Sequence, residues 1–274
     1  MTIKPRRIEF PFDLTTVPKY WFGGNATASL KASALNLIFP DGERFFIRAV
    51  RHHLPRIDDP ELKAEARRFF AQEALHGNEH NRANEVLIQQ GLELDSWLEW
   101  YRHVAYRRLE PMVPPILCLS ITAALEHLTA SMGHYTLRTD TLRHAVPAMQ
   151  DLLRWHAAEE IEHKAVAFDV FESVDGRWTV RVLGMVCAVG LLLFFWRSAW
   201  RHLSRQDDTI TRRQMRADLK QIKQEWKIHS SRNAILGYAL SYLRPGFHPN
   251  DMDDYALAKE TLDQLEARYL ASAG

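Results

Sequence analysis

The sequence contains little cysteine, little net charge and no long apolar run at its start. Its two cysteines, Cys118 and Cys187, form no CxxC pair, so neither a disulfide framework nor a thiolate metal site is expected. A formal net charge of +1 gives no basic field, and nucleic acid is therefore not an expected partner. The N-terminal residues lead into Phe and Pro rather than an apolar core, which argues against a secretory signal and favours a cytoplasmic protein.

Motifs of several common chemistries are also missing. The sequence has no Gly-rich phosphate loop, Walker motif, nucleophile elbow, internal repeat or low-complexity tract. It has 274 residues, of which 46% are hydrophobic and 25% charged, the composition of a folded globular protein with a sizeable core.

Residues 155–163 combine metal-binding residue types with helical spacing. No Pro or Gly interrupts them, so a helix over residues 147–174 is predicted. On that helix His156, Glu160 and His163 share one face, which apolar residues extend in both directions. Burying such groups is costly unless they are paired or bind a metal, and imidazole with carboxylate suits iron, manganese or zinc. The alternative, a solvated face, would need polar neighbours.

A second helix is predicted between an acidic N-cap at residues 58–59 and Gly91, which lies just past its end. Apolar residues recur along it at steps of four and three, the pattern of a bundle helix. Its middle contains Glu73 and His76, a Glu-x-x-His pair that can reach one metal from the same turn. His80 is a ligand, a hydrogen-bonding partner of a ligand or a core histidine, and the last two interpretations are favoured.

Two further helices each place an acid on an apolar face. Residues 116–138 are apolar almost all round, so this helix should be buried, and Glu126 is its one acid. Glu43 heads another apolar face, although first turns of helices favour Glu through the helix dipole as well. His127 adjoins Glu126 but points about a quarter-turn away, so it is left out of the predicted site.

The four helices follow one another as single acid, Glu-x-x-His, single acid and Glu-x-x-His, the arrangement of ferritin-like di-metal carboxylate bundles. We therefore predict an all-α protein with a ferritin-like four-helix bundle core and additional C-terminal helices. The His-x-x-x-Glu-x-x-His spacing of residues 156–163 resembles that of bacterial diiron arylamine N-oxygenases of the p-aminobenzoate N-oxygenase type. This resemblance, confined to motifs within residues 40–170, implies seven metal ligands: Glu43, Glu73, His76, Glu126, His156, Glu160 and His163.

A second resemblance covers most of the chain. The segments FPDGERFF (residues 39–46) and QEALH (residues 72–76) resemble a bacterial family catalogued as predicted metal-dependent hydrolases. We interpret the hydrolase name as one inferred from metal ligands rather than from chemistry. Because Glu159 and Glu162 flank Glu160, the sequence leaves open which acid bridges two metals.

The resemblances imply a non-haem diiron oxygenase that hydroxylates, desaturates or N-oxygenates an organic substrate. Its cofactor would be two iron ions, with manganese or zinc as alternatives, and its partners dioxygen and an electron donor. No catalytic residue beyond the metal ligands is predicted. The alternative enzyme class is a dinuclear metal-dependent hydrolase, in which two metals activate water. A non-catalytic metal-binding helical bundle is the third hypothesis.

The C-terminal third contains an apolar helix, and the sequence does not determine whether this helix is buried in the protein or contacts a membrane. The fifteen uncharged residues 182–196 fall short of the roughly 20 that a membrane span needs. Tryptophan and basic flanks suit an interfacial anchor, so the alternatives are a buried helix, attachment at the inner face of a membrane, and a span.

We predict an irregular arm (1–24), a di-metal bundle (25–176) and C-terminal helices (177–274) that include the apolar helix 179–203. A hydrophobic, lipid-like substrate and a homodimer are further expectations.

Overall fold

A computed structural model of the chain describes residues 3–226 and 232–271, and within these ranges every named element is helical. In chain order the α-helices are α1 (Ala26–Asn36), α2 (Phe39–His53), α3 (Pro60–Gln89), α4 (Asp95–Arg102), α5 (Pro115–Thr139), α6 (Pro147–His163), α7 (Val166–Val174), α8 (Trp178–Ser204), α9 (Arg212–Lys220), α10 (Arg232–Tyr242) and α11 (Tyr255–Ala271). A π-helical turn, His103–Leu109, follows α4. The all-α prediction is confirmed.

Residues 3–24 form an arm of turns and extended chain that lies against the helices. Ile8, Phe10 and Val17 are buried in one cluster with Trp155 of α6. The arm is therefore anchored by apolar contacts to the helix that carries the predicted His-x-x-x-Glu-x-x-His motif.

Local sequence signals set the ends of α3. The Asp59 side chain accepts a hydrogen bond from the backbone N–H of Glu61 at 2.8 Å, and Pro60 occupies the first helical position. Gly91, just past the end, has a φ of +90°, which favours glycine. The predicted boundaries of this helix are confirmed.

The helix predicted over residues 147–174 is interrupted. α6 ends at His163, Lys164 and Ala165 form a turn, and α7 then continues to Val174. The buried Lys164 ammonium donates to the Met252 carbonyl at 2.6 Å and also bonds the carboxylate of Asp254. The break between α6 and α7 thus accompanies a tertiary contact of Lys164 with the segment before α11. The local sequence contains no Gly or Pro that would predict this break.

The four helices α2, α3, α5 and α6 enclose the predicted ligands: α2 packs on α3 and α5, and α6 packs on the same two helices. Two glycines allow close approaches. A Cβ at Gly133 would lie 2.7 Å from the carbonyl oxygen of Ala157, and one at Gly77 would lie 2.9 Å from Glu43 Oε2. Glycine is therefore needed for α5 to lie against α6 and for the Glu43 carboxylate to lie against α3. The ferritin-like character of this four-helix arrangement stays a prediction.

α8 has one buried face and one exposed face. Met185, Ala188 and Phe195 are buried, and Gly184 contacts Ser120 of α5, whereas Leu193 is 54% exposed. Both α5 and α8 have the length and composition of a membrane span, but 72% of the apolar window is buried in α5 and only 28% in α8. Such helices also occur in the cores of soluble proteins. The alternative of a wholly buried α8 does not hold.

Candidate metal centre

Seven acidic and imidazole side chains meet between α2, α3, α5 and α6, and each is at most 5% exposed. Three groups within this set bring potential ligand atoms within 4.8 Å of one another: Glu43, His76 and His156; Glu73, Glu126 and His163; Glu73, His76 and Glu160. No other side chain in residues 3–226 and 232–271 joins such a group. The fold therefore brings together the seven side chains that the sequence predicts as ligands.

Glu160 and Glu73 lie at the middle of the cluster. Glu160 Oε1 lies 2.8 Å from His156 Nε2, 3.5 Å from His163 Nε2 and 3.8 Å from His76 Nδ1. Glu73 Oε1 lies 3.6 Å from His76 Nδ1 and 3.4 Å from His163 Nε2. Each of these two carboxylates thus contacts histidines from both Glu-x-x-His motifs.

Hydrogen bonds identify the protonated nitrogens of His76 and His163. His76 Nε2 lies 3.1 Å from Glu159 Oε2, and a carboxylate only accepts, so Nε2 carries the hydrogen. His163 Nδ1 lies 3.1 Å from Gln72 Oε1, and the amide is oriented by its Nε2, which donates to Glu162 Oε2 at 2.7 Å. Both rings therefore donate outward from one nitrogen and turn the other nitrogen toward the carboxylates, the orientation that metal-ligating histidines have.

His80 orients His156 through a hydrogen bond between the two rings. Asn36 Nδ2 donates to the His80 carbonyl and to Asn84 Oδ1, so Asn36 Oδ1 faces His80 Nδ1, 2.6 Å away, and accepts its hydrogen. His80 Nε2 and His156 Nδ1 share a hydrogen bond, and His156 Nε2 hydrogen-bonds Glu160 Oε1 at 2.8 Å. Burial lowers the pKa of both His80 and His156, which keeps the rings neutral.

Arg6 from the N-terminal arm neutralises the two acids that flank Glu160. Its Nη1 donates to Glu159 Oε1 at 3.1 Å and to Glu162 Oε2 at 2.7 Å, and its Nη2 donates to Glu162 Oε1 at 3.1 Å. Burial opposes the charge of Arg6, but Glu162 and Glu159 outweigh it and raise its pKa. Glu159 and Glu162 therefore have a counter-charge of their own and lie outside the seven-residue cluster.

These contacts join two histidines of the cluster in one network, which runs from His76 through Glu159, Arg6, Glu162 and Gln72 to His163. Sequence reasoning misses Arg6 and the role of Gln72, because no local spacing connects Arg6 with partners more than 150 positions away or Gln72 with Glu162, 90 positions away.

The charges of the cluster act strongly on one another. Burial and the charge of Glu73 raise the pKa of Glu43 well above its usual range. Burial and the charge of Glu160 raise the pKa of Glu126 to about 8. Burial lowers the pKa of His76, but the hydrogen bond to Glu159 and the charge of Glu73 raise it to about 10. The centre therefore favours cations, whether protons or metal ions.

Buried atoms without a hydrogen bond test whether the cluster suits a metal. They include both carboxylate oxygens of Glu43, Glu73 and Glu126, together with His76 Nδ1 and His163 Nε2. His163 Nε2 approaches Glu126 Oε2 to 3.3 Å, but without the alignment of a hydrogen bond. Each unpaired buried polar atom costs roughly 1–3 kcal/mol, so such a concentration is unfavourable on its own. Carboxylates and imidazoles with free lone pairs fit a transition-metal ion well.

An apolar cavity of about 110 Å³ reaches the cluster at Glu43, His156 and Glu160. Its walls come from α2, α4, α5, α8 and the π-helical turn, and most of the lining side chains are aliphatic or aromatic. Thr129, which also lines the cavity, donates to Glu160 Oε2 and so fixes the carboxylate at the inner end. A small apolar molecule in this cavity would lie directly beside the cluster.

His127 lies away from the cluster, as the sequence predicts. Its Nε2 donates to the Tyr238 carbonyl at 2.9 Å, and its ring stacks on Tyr242 with centroids 5.1 Å apart. Burial lowers the pKa of His127 to about 4. Because this folded-state pKa lies below the ordinary value of 6.5, the folded protein binds fewer protons between pH 6.5 and pH 4, and stability is lost as the pH falls through this window.

We expect the unfolding free energy to depend less on pH in His127→Phe than in the wild type. Between pH 6.5 and 4.5 the difference should be roughly 2 kcal/mol, measured by urea unfolding at both pH values. His52→Phe, at an exposed histidine, is the control and should follow the wild type. If the unfolding free energies of His127→Phe and the wild type depended equally on pH, the lowered pKa of His127 would be contradicted.

Comparison with known proteins gives one match. The profile of a family described as "Predicted metal-dependent hydrolase" matches residues 4–253, a range that includes the seven-residue cluster and Arg6. No curated protein and no solved structure gives a significant match. The comparisons do not support the resemblance to diiron arylamine N-oxygenases.

Proposed function

The chain belongs to the family of predicted metal-dependent hydrolases, and from this premise we propose that it is an enzyme with a dinuclear metal centre. The proposed ligands are Glu43, Glu73, His76, Glu126, His156, Glu160 and His163. One observation carries the proposal: buried carboxylate oxygens and imidazole nitrogens without hydrogen bonds are concentrated between four helices.

The contacts also support a division of the proposed ligands between two metal positions. We propose Glu73 and Glu160 as the bridging acids, since each lies within 3.8 Å of both His76 and His163. Glu43, His76 and His156 would complete one metal position, and Glu126 and His163 the other. Iron, manganese and zinc all accept this donor set.

The cavity supports an apolar substrate. It ends on Glu43, His156 and Glu160, and its walls offer few polar groups besides these and Thr129, Glu110, Tyr101 and Tyr106. The two tyrosine hydroxyls lie 2.6 Å apart and bond each other. A small molecule with an apolar, lipid-like body would be oriented by these walls, which would also exclude water from the reacting atoms.

Hydrolysis is the reaction that the family description favours. When bound, two metal ions supply Lewis acidity and an activated water for such a reaction. The chain contributes orientation: the Arg6 network fixes His76 and His163, His80 fixes His156, and Thr129 fixes Glu160. The protein's own groups would thus hold the ligands in place while the cavity positions the substrate.

Dioxygen activation by two irons is the second candidate, and the donor set favours it. The cluster consists of glutamates and histidines from four buried helices, and the cavity that reaches it is mostly apolar. Dioxygen and an electron donor would then be co-substrates, and hydroxylation, desaturation or N-oxygenation would be the reaction.

One experiment separates these possibilities. The metal content of protein from iron-supplemented medium is measured, together with dioxygen uptake after anaerobic reduction and hydrolysis of apolar ester and amide substrates without oxygen. We expect about two metal ions per chain. Anaerobic hydrolysis would support the hydrolase, and oxygen uptake with bound iron would support the oxygenase. Metal without either activity would leave a non-catalytic bundle, and the absence of stoichiometric metal would contradict the dinuclear centre.

A further inference from the structure

The exposed face of α8 carries large apolar side chains in a continuous stripe. Leu183, Val186, Leu193 and Phe194 are 49%, 62%, 54% and 55% exposed. Successive members are three, seven and one residues apart, with the exposed Gly190 in the longest interval, and these spacings place them on one side of the helix, opposite the buried Met185, Ala188 and Phe195. Contiguous apolar patches of this kind on a protein surface mark contacts with a partner or a membrane.

This stripe adjoins side chains that line the apolar cavity. The ring of Phe194 lies 5.1 Å from that of Phe195 and 6.1 Å from that of Trp100. Phe195 lines the cavity, as does Leu109, which is itself 39% exposed. Met112, three residues further on, is 79% exposed. Exposed apolar side chains therefore adjoin the cavity lining both on α8, beside Phe195, and at residues 109–112.

Exposed arginines border the apolar surface at two places. Arg197 and Arg201 follow the stripe at the next two turns of α8, and Arg107 and Arg108 directly precede Leu109. In the part of the chain that the structure describes, these four guanidinium groups form no ion pair. The exposed acids nearby are Glu93, whose carboxylate lies 3.5 Å from His202 Nε2 of α8, and Asp95 and Glu99 of α4. Apolar side chains bordered by arginine complement a surface that is apolar inside and anionic at its edge.

We propose that α8 and residues 103–112 dock the protein onto an anionic lipid bilayer, with the entrance of the cavity facing the lipid. The stripe from Leu183 to Phe194 is about 17 Å long on a helix, roughly half the hydrocarbon thickness, so α8 lies in the interface rather than across it. The exposed Trp178 near the start of α8 suits the same interfacial position. The inference that the protein docks on a bilayer depends only on these surface residues. That an apolar substrate enters from the bilayer rests on the proposed function.

A second copy of the chain fits this face less well. A two-fold interface would place the arginine-bordered patch against itself, and of the nearby acids Glu93, Asp95 and Glu99, Glu93 already contacts His202. An anionic bilayer supplies the complementary charge without this conflict.

The test is co-sedimentation with vesicles of equimolar phosphatidylcholine and phosphatidylglycerol, and with vesicles of phosphatidylcholine alone. We expect binding to the anionic vesicles and weaker binding to the neutral ones. Replacing Arg197 or Arg201 by Ala should weaken binding about fivefold per arginine. Leu193→Glu combined with Phe194→Glu should remove binding. Leu14→Glu, at a residue 52% exposed on the N-terminal arm, is the matched control and should bind as the wild type does.

Failure to bind anionic vesicles would overturn the proposal, and so would equal binding by the Leu193/Phe194 double variant. A dimer in sedimentation velocity that the same double variant abolishes, without vesicle binding, would assign the face to a second copy instead. Vesicle binding is measured both with metal and after chelation. It should persist without metal, so that failure of docking and failure of the proposed metal centre are distinguished.

Discussion

Glu160→Ala is expected to lower the metal content of the purified protein from about two ions to well below one per chain. Glu160 Oε1 lies within 3.8 Å of a nitrogen of His76, His156 and His163, so its removal deprives both proposed metal positions of a shared ligand. Metal analysis after purification measures the effect. Chelation should also lower the melting temperature of the wild type but not that of the variant, since a bound metal stabilises only the folded state.

Glu85→Ala is the control for this experiment, because Glu85 is an exposed acid on α3, the helix that carries Glu73 and His76. Its metal content should equal that of the wild type. Glu160→Ala protein that retains two ions and a melting temperature sensitive to chelation would show that the ligand set is wrong.

Arg6→Ala is expected to destabilise the protein by about 3–5 kcal/mol, because it leaves two buried carboxylates without their counter-charge. The side chains of Glu159 and Glu162 are 0% exposed, and that of Arg6 is 9% exposed. The same change should weaken metal binding about 10- to 100-fold, since Glu159 and Glu162 would no longer be held in place to orient His76 and His163. Denaturant unfolding and metal titration measure the two effects.

Arg7→Ala provides the matched control at the neighbouring position. The Arg7 side chain is 82% exposed, and its contact with Glu9 is 3.9 Å long at the surface. Its replacement should change stability by less than about 1 kcal/mol. If Arg6→Ala and Arg7→Ala had equal effects on both stability and metal affinity, the arm would have no role in positioning the histidines.

The cluster could be predicted from the sequence because its members follow helical periodicity within apolar faces. Glu73 with His76 and Glu160 with His163 are pairs on single turns, and Glu126 is the one acid of a buried helix. Their proximity in space is an observation, whereas their role as ligands stays a prediction. The division of the chain at residue 176 also stays a prediction.

The contacts that support the cluster could not be predicted, because they depend on tertiary packing. Asn36 comes from α1 and Arg6 from the arm, and neither has a periodic relation to the histidine that it orients. The break between α6 and α7 involves Lys164 and a segment almost 90 residues away. Sequence alone also could not decide how much of α8 is covered, since this depends on the approach of Gly184 to α5.

The network through Arg6 has a consequence for biosynthesis. Glu159 and Glu162 follow Arg6 in the chain by more than 150 positions, and Glu266, which also accepts from Arg6, follows it by 260 positions. Contacts of such sequence separation form slowly and late. The nascent chain therefore presents His76 long before Glu159 exists to orient it. The groups that orient His76 and His163 therefore come together only after Glu162 has been synthesised, so the seven-residue cluster cannot be fully ordered before that point.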